Sequence, residues 1–403
     1  MTMRMPNLSA ASVAALLILN APAFAQKTYS QGVSDTEIKI GQTVPLSGPA
    51  SAFGAYGRTY QGYFQMLNEQ GGVNKRKVNL LLVDNAYSPP KAVEQIRKLV
   101  EDDGIFIEVG TVGTVPNVAT QKYMNDKKVP QLFISAGGRR FNDPKGFPLT
   151  IPFYPNFEME GAIAAKYVLK TNPNARIGVL YQNDDFGKDY VRGFKSALGA
   201  KASMIVAETP YELADPTIDS QILKLKSAGA DTLVEQSTPK FAAQAIRKVA
   251  EIGWAPLHIV GSAASSIDGV LKPAGLDASK GLVTTAFLKQ PTDPTWANDP
   301  DVKAFGEFMA KYGGGDPITN YFSLSGYVNA EAVALVLRNC GDNLTRENVI
   351  RQATSLKGAR IPMLLPGITL NTSADDYNAF KALRIQKFDG ANWTLVGEAI
   401  SAD

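Results

Sequence analysis

From residue 38 onward, short apolar runs alternate with segments whose apolar residues return every three or four positions. These are the periods of strand and helix. Ile38-Lys39-Ile40 opens as a β-branched strand, and the Gly- and Pro-rich stretch 41–57 is expected to end it. Tyr60, Tyr63, Phe64 and Leu67 then share one helical face, stopped by Gly71-Gly72. Residues 78–84 predict a strand ending in Asp84, and Pro89-Pro90 open a helix carrying Val93, Ile96 and Val100. Strands at 105–109 and 131–134 are each followed by a polar loop, 110–116 and 135–140, the first of which feeds a helix around 118–124. Successive β-α units of this kind predict a parallel, doubly wound sheet.

The pattern then restarts. Helices are predicted at 158–170, 186–198, 218–227 and 239–251, the last with Phe241, Ala245 and Val249 in register. Strands are predicted at 176–181, 204–208, 231–235 and 257–260. Two α/β lobes of similar construction are the natural reading. Beyond them come a strand at 282–287 and helices near 302–312, 323–339 and 346–354. A closing hairpin, 383–388 with 393–398, turns through Asp389-Gly390-Ala391-Asn392.

The first 25 residues stand apart. Arg4, an apolar run at 10–19 and Ala23-Phe24-Ala25 have the order of a secretory signal peptide cleaved after Ala25. That run falls short of the ~20 residues a membrane helix needs. No later stretch is long and apolar enough to span, so a soluble mature chain is expected. The net charge of +3, and the lack of any Lys/Arg block or basic stripe with interleaved aromatics, argue against a nucleic-acid partner.

Residue chemistry narrows the classes further. The one cysteine, Cys340, excludes internal disulfides and a Cys-based metal site. It also lies far from the cleavage point, which excludes a lipidated N-terminus. The one histidine, His258, sits in an apolar strand, so a His-rich metal centre is impossible. No G-x-G-x-x-G follows the first strand, and neither a P-loop lysine nor a G-x-S-x-G elbow occurs. Residues 183–189 (NDDFGKD) lack the terminal Glu of a calcium loop. No cofactor, no metal and no enzymatic chemistry are expected. Binding is expected instead, because a strand that opens into a polar Gly-rich loop before a helix points backbone N–H groups at a ligand. The loop at 41–57 has this form, and the strand–turn–helix unit recurs at 105–124 and 231–249.

Five stretches, in order, carry a resemblance: IKIGQTVPLSGPASAFG, LNEQGGV, VDNAYSPPKAVEQIRKLVEDDG, VPQLFISAGG and LYQNDDFGKDYVRGFKSALG. Together they resemble the branched-chain amino-acid-type (leucine/isoleucine/valine-binding-like) solute-binding proteins of ABC transporters, which have the type I periplasmic binding protein fold. The resemblance implies two doubly wound parallel-sheet lobes joined by three hinge crossings, near 151–156, 282–288 and 360–368. The first lobe would comprise residues 37–153 plus 284–362, and the second 154–283 plus 363–403. It also implies a periplasmic protein that closes over a small solute between its lobes and delivers it to the membrane subunits of an ABC permease. A ligand sensor of the same fold, serving a signalling partner, is the alternative.

Carried over by position, the resemblance makes Phe53 an aromatic wall and places Gly113 and Thr114 in the loop that receives a carboxylate. Ser135, Gly137, Gly138 and Arg139 fall in a second such loop. Phe186 stands where amino-acid binders have a tyrosine; Ser237 and Thr238 lie in a second-lobe turn, and Ser262 and Ala263 in the turn after Val260. Tyr56 and Tyr154 are either wall or core. Two departures from the family's pattern bear on the ligand. The turn 260–264 (VGSAA) lacks the acid that amino-acid binders place there for the ammonium, and Gly137-Gly138-Arg139-Arg140 adds two arginines. An aromatic or aliphatic carboxylate without an amine is therefore expected ahead of an amino acid, with Arg139 offering a planar fork to it. For an amino acid, Glu108, Asp185 or Glu235 would have to replace the missing acid. Their plainer roles are pairing with a base, facing solvent or, at Asp184-Asp185, capping a helix.

Overall fold

The β-branched run at 38–40 starts a strand that continues well past Gly41. In the computed structural model, which describes residues 1–2 and 27–401, this strand is β1 (Glu37–Val44). The expected signal peptide, all but its first two residues, lies outside the described residues. The loop expected from Gly41 is thus displaced, and the reason is tertiary. β1 lies between two parallel neighbours, and every residue from Glu37 to Val44 is in register with Lys77 to Asp84. Gly41 fits that central position because a Cβ there would come within 2.9 Å of Ile105 Cδ1. Likewise α1 (Gly54–Glu69) begins before Gly57, where the absent Cβ lets the helix sit against Val44 and Leu82, 2.7 and 2.9 Å from where it would be.

The first sheet adds β2 (Lys77–Asp84), β3 (Ile107–Val109), β4 (Gln131–Ile134) and β5 (Thr150–Pro152), in the order β2-β1-β3-β4-β5, all parallel. α2 (Pro89–Glu101) and α3 (Thr114–Asp126) complete its crossovers. The chain then passes through Phe153 to Asn156, whose Oδ1 accepts from the Glu158 N–H at 2.9 Å and so caps α4 (Phe157–Thr171).

The second sheet is built from β6 (Ile177–Gln182), β7 (Ile205–Tyr211), β8 (Thr232–Gln236), β9 (Leu257–Val260), β10 (Val283–Ala286), β11 (Ala382–Phe388) and β12 (Trp393–Ser401). Its order is β12-β11-β10-β9-β8-β6-β7, with β11 and β12 antiparallel at one edge. α5 (Asp185–Leu198), α6 (Asp219–Ser227) and α7 (Pro239–Glu251) cover it together with α4. The hairpin read from residues 389–392 is the β11–β12 connection.

Between β10 and β11 the chain returns to the first lobe. α8 (Pro300–Tyr312) and α9 (Tyr321–Asn339) pack on α1, and α10 (Arg346–Ala353) packs on α9. Asn329 of α9 pins this return: it accepts from the Tyr60 hydroxyl and donates to Phe133 O at 2.9 Å. A short parallel ladder, Thr28–Tyr29 with Asn343–Leu344, ties in the start of the described chain. Two expected lobe boundaries shift. A division between 283 and 284 would cut β10, which lies wholly in the second sheet. Residues 376–377 hydrogen-bond to Asn142 and Pro148 beside the first sheet, so the last crossing comes just before Ala382. Among the described residues no helix is long and apolar enough to cross a membrane.

Candidate functional site

In a doubly wound sheet the strand order reverses at one point, and the loops there diverge to leave a crevice at the strands' carboxyl ends. That point lies between β1 and β3 in the first lobe and between β6 and β8 in the second. The four loops converge on one cavity. Phe53 follows β1, Gly113 and Thr114 follow β3, Phe186 follows β6, and Thr238 follows β8.

Rings make most of the walls. Phe53 meets Phe322 of α9 edge-on at 4.9 Å, and Phe186 meets Phe157 of α4 edge-on at 5.1 Å. Tyr56, Tyr87, Tyr154 and Tyr321 complete the aromatic lining. At the crossing, the Tyr154 hydroxyl lies 2.7 Å from Ser262 Oγ and 3.2 Å from the Tyr321 hydroxyl, linking a second-lobe turn to a first-lobe helix. The space open to small molecules is about 40 Å³. One water needs about 10–15 Å³ on such a scale, so the cavity suits a small ligand.

The polar groups are few and uncharged: among the described residues no acid, lysine, arginine or histidine lines the cavity. Thr114 Oγ1 is buried with no hydrogen-bond partner, and the Tyr56 hydroxyl is buried close to Ser135 and Tyr60. Burial pushes the Tyr56 phenol far above its ordinary range, so it is a neutral donor. Orphaned buried hydroxyls cost free energy, and a ligand that bonds to them removes that cost. Helix ends add to this. The α5 terminus is capped by Asp184, whose Oδ1 accepts from the Phe186 N–H at 2.9 Å, and the Thr238 N–H of α7 is taken by the Tyr211 hydroxyl at 2.9 Å. The Gly113 cap of α3 offers no side chain, and the Tyr87 hydroxyl lies beside the Thr114 N–H. The N-terminal residues of α3, Gly113 and Thr114, line the cavity, and the dipole there favours an anion.

Of the residues singled out from sequence, the structure gathers Phe53, Gly113, Thr114, Ser135, Tyr154, Phe186, Thr238 and Ala263 around this space. It does not bring in the other five. Ser262 stands one hydrogen bond behind Tyr154, and Ser237 Oγ turns to Glu235. Gly137 packs on the crossing, where a Cβ would lie 1.9 Å from Pro155 O, and Gly138 packs on Phe141. Arg139 sends only its backbone inward, its N–H donating to Asp189 Oδ2 at 2.8 Å. Its side chain is 67% exposed, 3.8 Å from Glu158, and Arg140 pairs outside with Asp185 at 3.2 Å. The cause is local. The turn Arg139–Phe141 buries Phe141 completely, which directs the flanking arginines to solvent. Arg139→Ala is accordingly expected to leave ligand affinity within about twofold, measured by titration calorimetry, because exposed ion pairs contribute little. A loss above tenfold would return the guanidinium to the site.

The acids considered as an ammonium partner are also elsewhere. Glu108 is buried, accepting from Thr111 Oγ1 and from Gln131 Nε2 at 2.9 Å, and burial raises its carboxyl to about 7. Glu235 lies 3.4 Å from His258 inside the second lobe, its pKa raised chiefly by burial. Asp185 is held by Arg140. Sequence reasoning missed Tyr87, Val112, Phe157, Tyr321, Phe322 and Ser325, and left Tyr56 undecided. Four of the missed residues sit on α4 and α9, whose amphipathic patterns read as ordinary core helices. Glu160 was missed too: it accepts from the Ser262 N–H at 2.6 Å and from Thr285 Oγ1 at 2.7 Å, behind the cavity wall.

A family model described as "Periplasmic binding protein" matches residues 37–392. The Leu/Ile/Val-binding protein BraC3 of Rhizobium johnstonii is 24% identical over 373 residues, covering 92% of this chain and 95% of the relative. The Leu/Ile/Val-binding protein homolog 3 of Brucella melitensis is 26% identical over 219 residues, which span 54% of this chain and 59% of that one. Among solved structures, a branched-chain amino acid ABC transporter protein from Thermus thermophilus with bound valine has TM-score 0.82 at 16% identity, covering 92% of this chain and 97% of its own. A solute-binding protein from Rhodopseudomonas palustris BisB5 in complex with 3,4-dihydroxy benzoic acid has TM-score 0.76 at 18% identity, covering 91% and 98%.

Proposed function

We propose that this chain, which belongs to the periplasmic binding protein family, is the exported, periplasmic solute-binding component of an ABC importer, and that its ligand is a small carboxylate without an amine. The ligand is held between the lobes, handed to the permease unchanged, and most simply carries one aromatic ring.

One observation carries the ligand class. The cavity presents the α3 N-terminus and the buried Thr114 and Tyr56 hydroxyls among aromatic rings, with no charged side chain in its lining among the described residues. A carboxylate finds donors there. An ammonium would find no carboxylate counterion there, and the positive end of the α3 dipole opposes a cation. The neighbour of this fold in complex with 3,4-dihydroxy benzoic acid supports the reading.

The Leu/Ile/Val-binding relatives support an amino acid instead, and one residue favours it. Glu160 keeps an unpartnered, buried Oε2. Yet its other oxygen is spent on Ser262 and Thr285, and Ser262 and Tyr154 stand between it and the ligand space. A thermal-shift panel of benzoate, hydroxybenzoates, short aliphatic acids and branched-chain amino acids separates the two. Acids without an amine are expected to raise the melting temperature, since a ligand at a hundredfold excess over its Kd stabilises by about 2.7 kcal/mol. A shift produced only by compounds with a free ammonium would reject the carboxylate.

A further inference from the structure

Tyr87 closes one side of the ligand cavity, and its backbone is unusual. Ala86 and Tyr87 both have positive φ, 48° and 58°, a region that residues other than glycine seldom enter. Such conformations persist only where the surroundings over-determine them, and they concentrate at ligand sites. Here the determinants are explicit. Asp84 Oδ1 accepts from the Ala86 N–H at 2.9 Å, and Asn85 Oδ1 accepts from the Tyr87 N–H at 2.8 Å. Asn85 Nδ2 in turn donates to Thr43 Oγ1 at 3.1 Å, and Lys91 holds Asp84 at 2.7 Å. The ring is fixed as well: it stacks with Phe53 at 6.2 Å and lies so close over Gly113 that a Cβ there would be 2.3 Å from Tyr87 Cε2.

Behind that ring lies a second space between the lobes, of about 60 Å³. Pro49, Ala50 and Ala86 bound it from the first lobe, and Leu213, Thr238 and Phe241 from the second. Tyr87 and Thr238 are the residues that line both spaces. We propose that Tyr87 is the size filter of the site: its ring divides one inter-lobe space into a ligand cavity and an apolar annex, and so excludes acids that carry an apolar substituent. The proposal rests on the carboxylate reading of the cavity.

The test compares benzoate with its ortho-, meta- and para-propyl derivatives by titration calorimetry on the full mature chain. Wild-type protein is expected to bind benzoate and to bind every propyl derivative at least tenfold more weakly, while Tyr87→Gly, which suits the left-handed backbone, raises affinity for at least one of them relative to benzoate by about tenfold or more. Adding Ala50→Leu to Tyr87→Gly fills the annex and is expected to cancel that gain. Wild-type protein that binds a propylbenzoate as tightly as benzoate, a Tyr87→Gly protein without the gain, or a gain that survives Ala50→Leu would each overturn the filter alone. Failure of wild-type protein to bind benzoate while another acid without an amine binds would overturn the filter alone, and failure to bind any acid without an amine would overturn the carboxylate reading and the filter with it. Circular dichroism of each variant confirms that the fold is retained.

Discussion

Thr114→Val will weaken binding of a small carboxylate by about ten- to a hundredfold, as expected for loss of one hydrogen bond to a charged group at ~1.5–3 kcal/mol. The substitution keeps the shape of the side chain and removes only Oγ1, at the N-terminus of α3, whose Gly113 cap offers no side chain. The unliganded protein should respond in the opposite direction. Thr114 Oγ1 is buried without a partner, so its removal leaves the melting temperature of the empty protein unchanged or higher. A melting curve without ligand and a calorimetric titration with it therefore give results of opposite sign. Equal affinity in the two proteins would place the carboxylate elsewhere.

Glu108→Gln will make the protein more stable above neutral pH, by up to about 3 kcal/mol for this one group. Burial raises the Glu108 carboxyl from its ordinary value of 4.5 to about 7, against the hydrogen bonds of Thr111 and Gln131. The folded state thus holds a proton that the unfolded state gives up. Stability from this group is complete below pH 4.5 and falls as pH rises toward 7, then stays level. Glutamine mimics the protonated acid and carries no such loss, so the two proteins should match near pH 4.5 and diverge by pH 8. Glu160, Glu235 and Asp184 are raised by burial too and act in the same direction, but they are common to both proteins and cancel in the comparison. Urea unfolding from pH 5 to 8 measures the difference. A constant gap across that range would mean that Glu108 is ionised throughout.

The parts of the site that were legible in the sequence share a cause. Phe53, Gly113, Thr114, Ser135, Phe186 and Thr238 lie at or just past the carboxyl ends of strands, where polar turns follow apolar runs. Strand order then decides which of those loops meet, and a doubly wound order brings together the ones at its reversal. Gly137 and Gly138 have the same polar-turn signature, yet Gly137 serves the crossing at Pro155 and Gly138 packs on Phe141. Arg139 illustrates a finer limit. Its charge suggested an anion contact, but one buried neighbour, Phe141, set the direction of its side chain.

Tyr321, Phe322 and Ser325 were beyond reach for a different reason. They belong to a helix in the segment that returns to the first lobe long after the strands it packs beside, and its apolar pattern is that of any core helix.

By itself the sequence determined the alternation of elements, the doubly wound lobes, and the loops able to offer N–H groups and hydroxyls, because periodicity, turn chemistry and helix stops are properties of neighbouring residues. Only the tertiary structure decided that no charged side chain among the described residues lines the cavity, that β1 runs on through Gly41, and that Tyr87 lines two inter-lobe spaces at once. Those outcomes depend on which side chains from distant segments occupy the same few ångströms, and that is settled by packing.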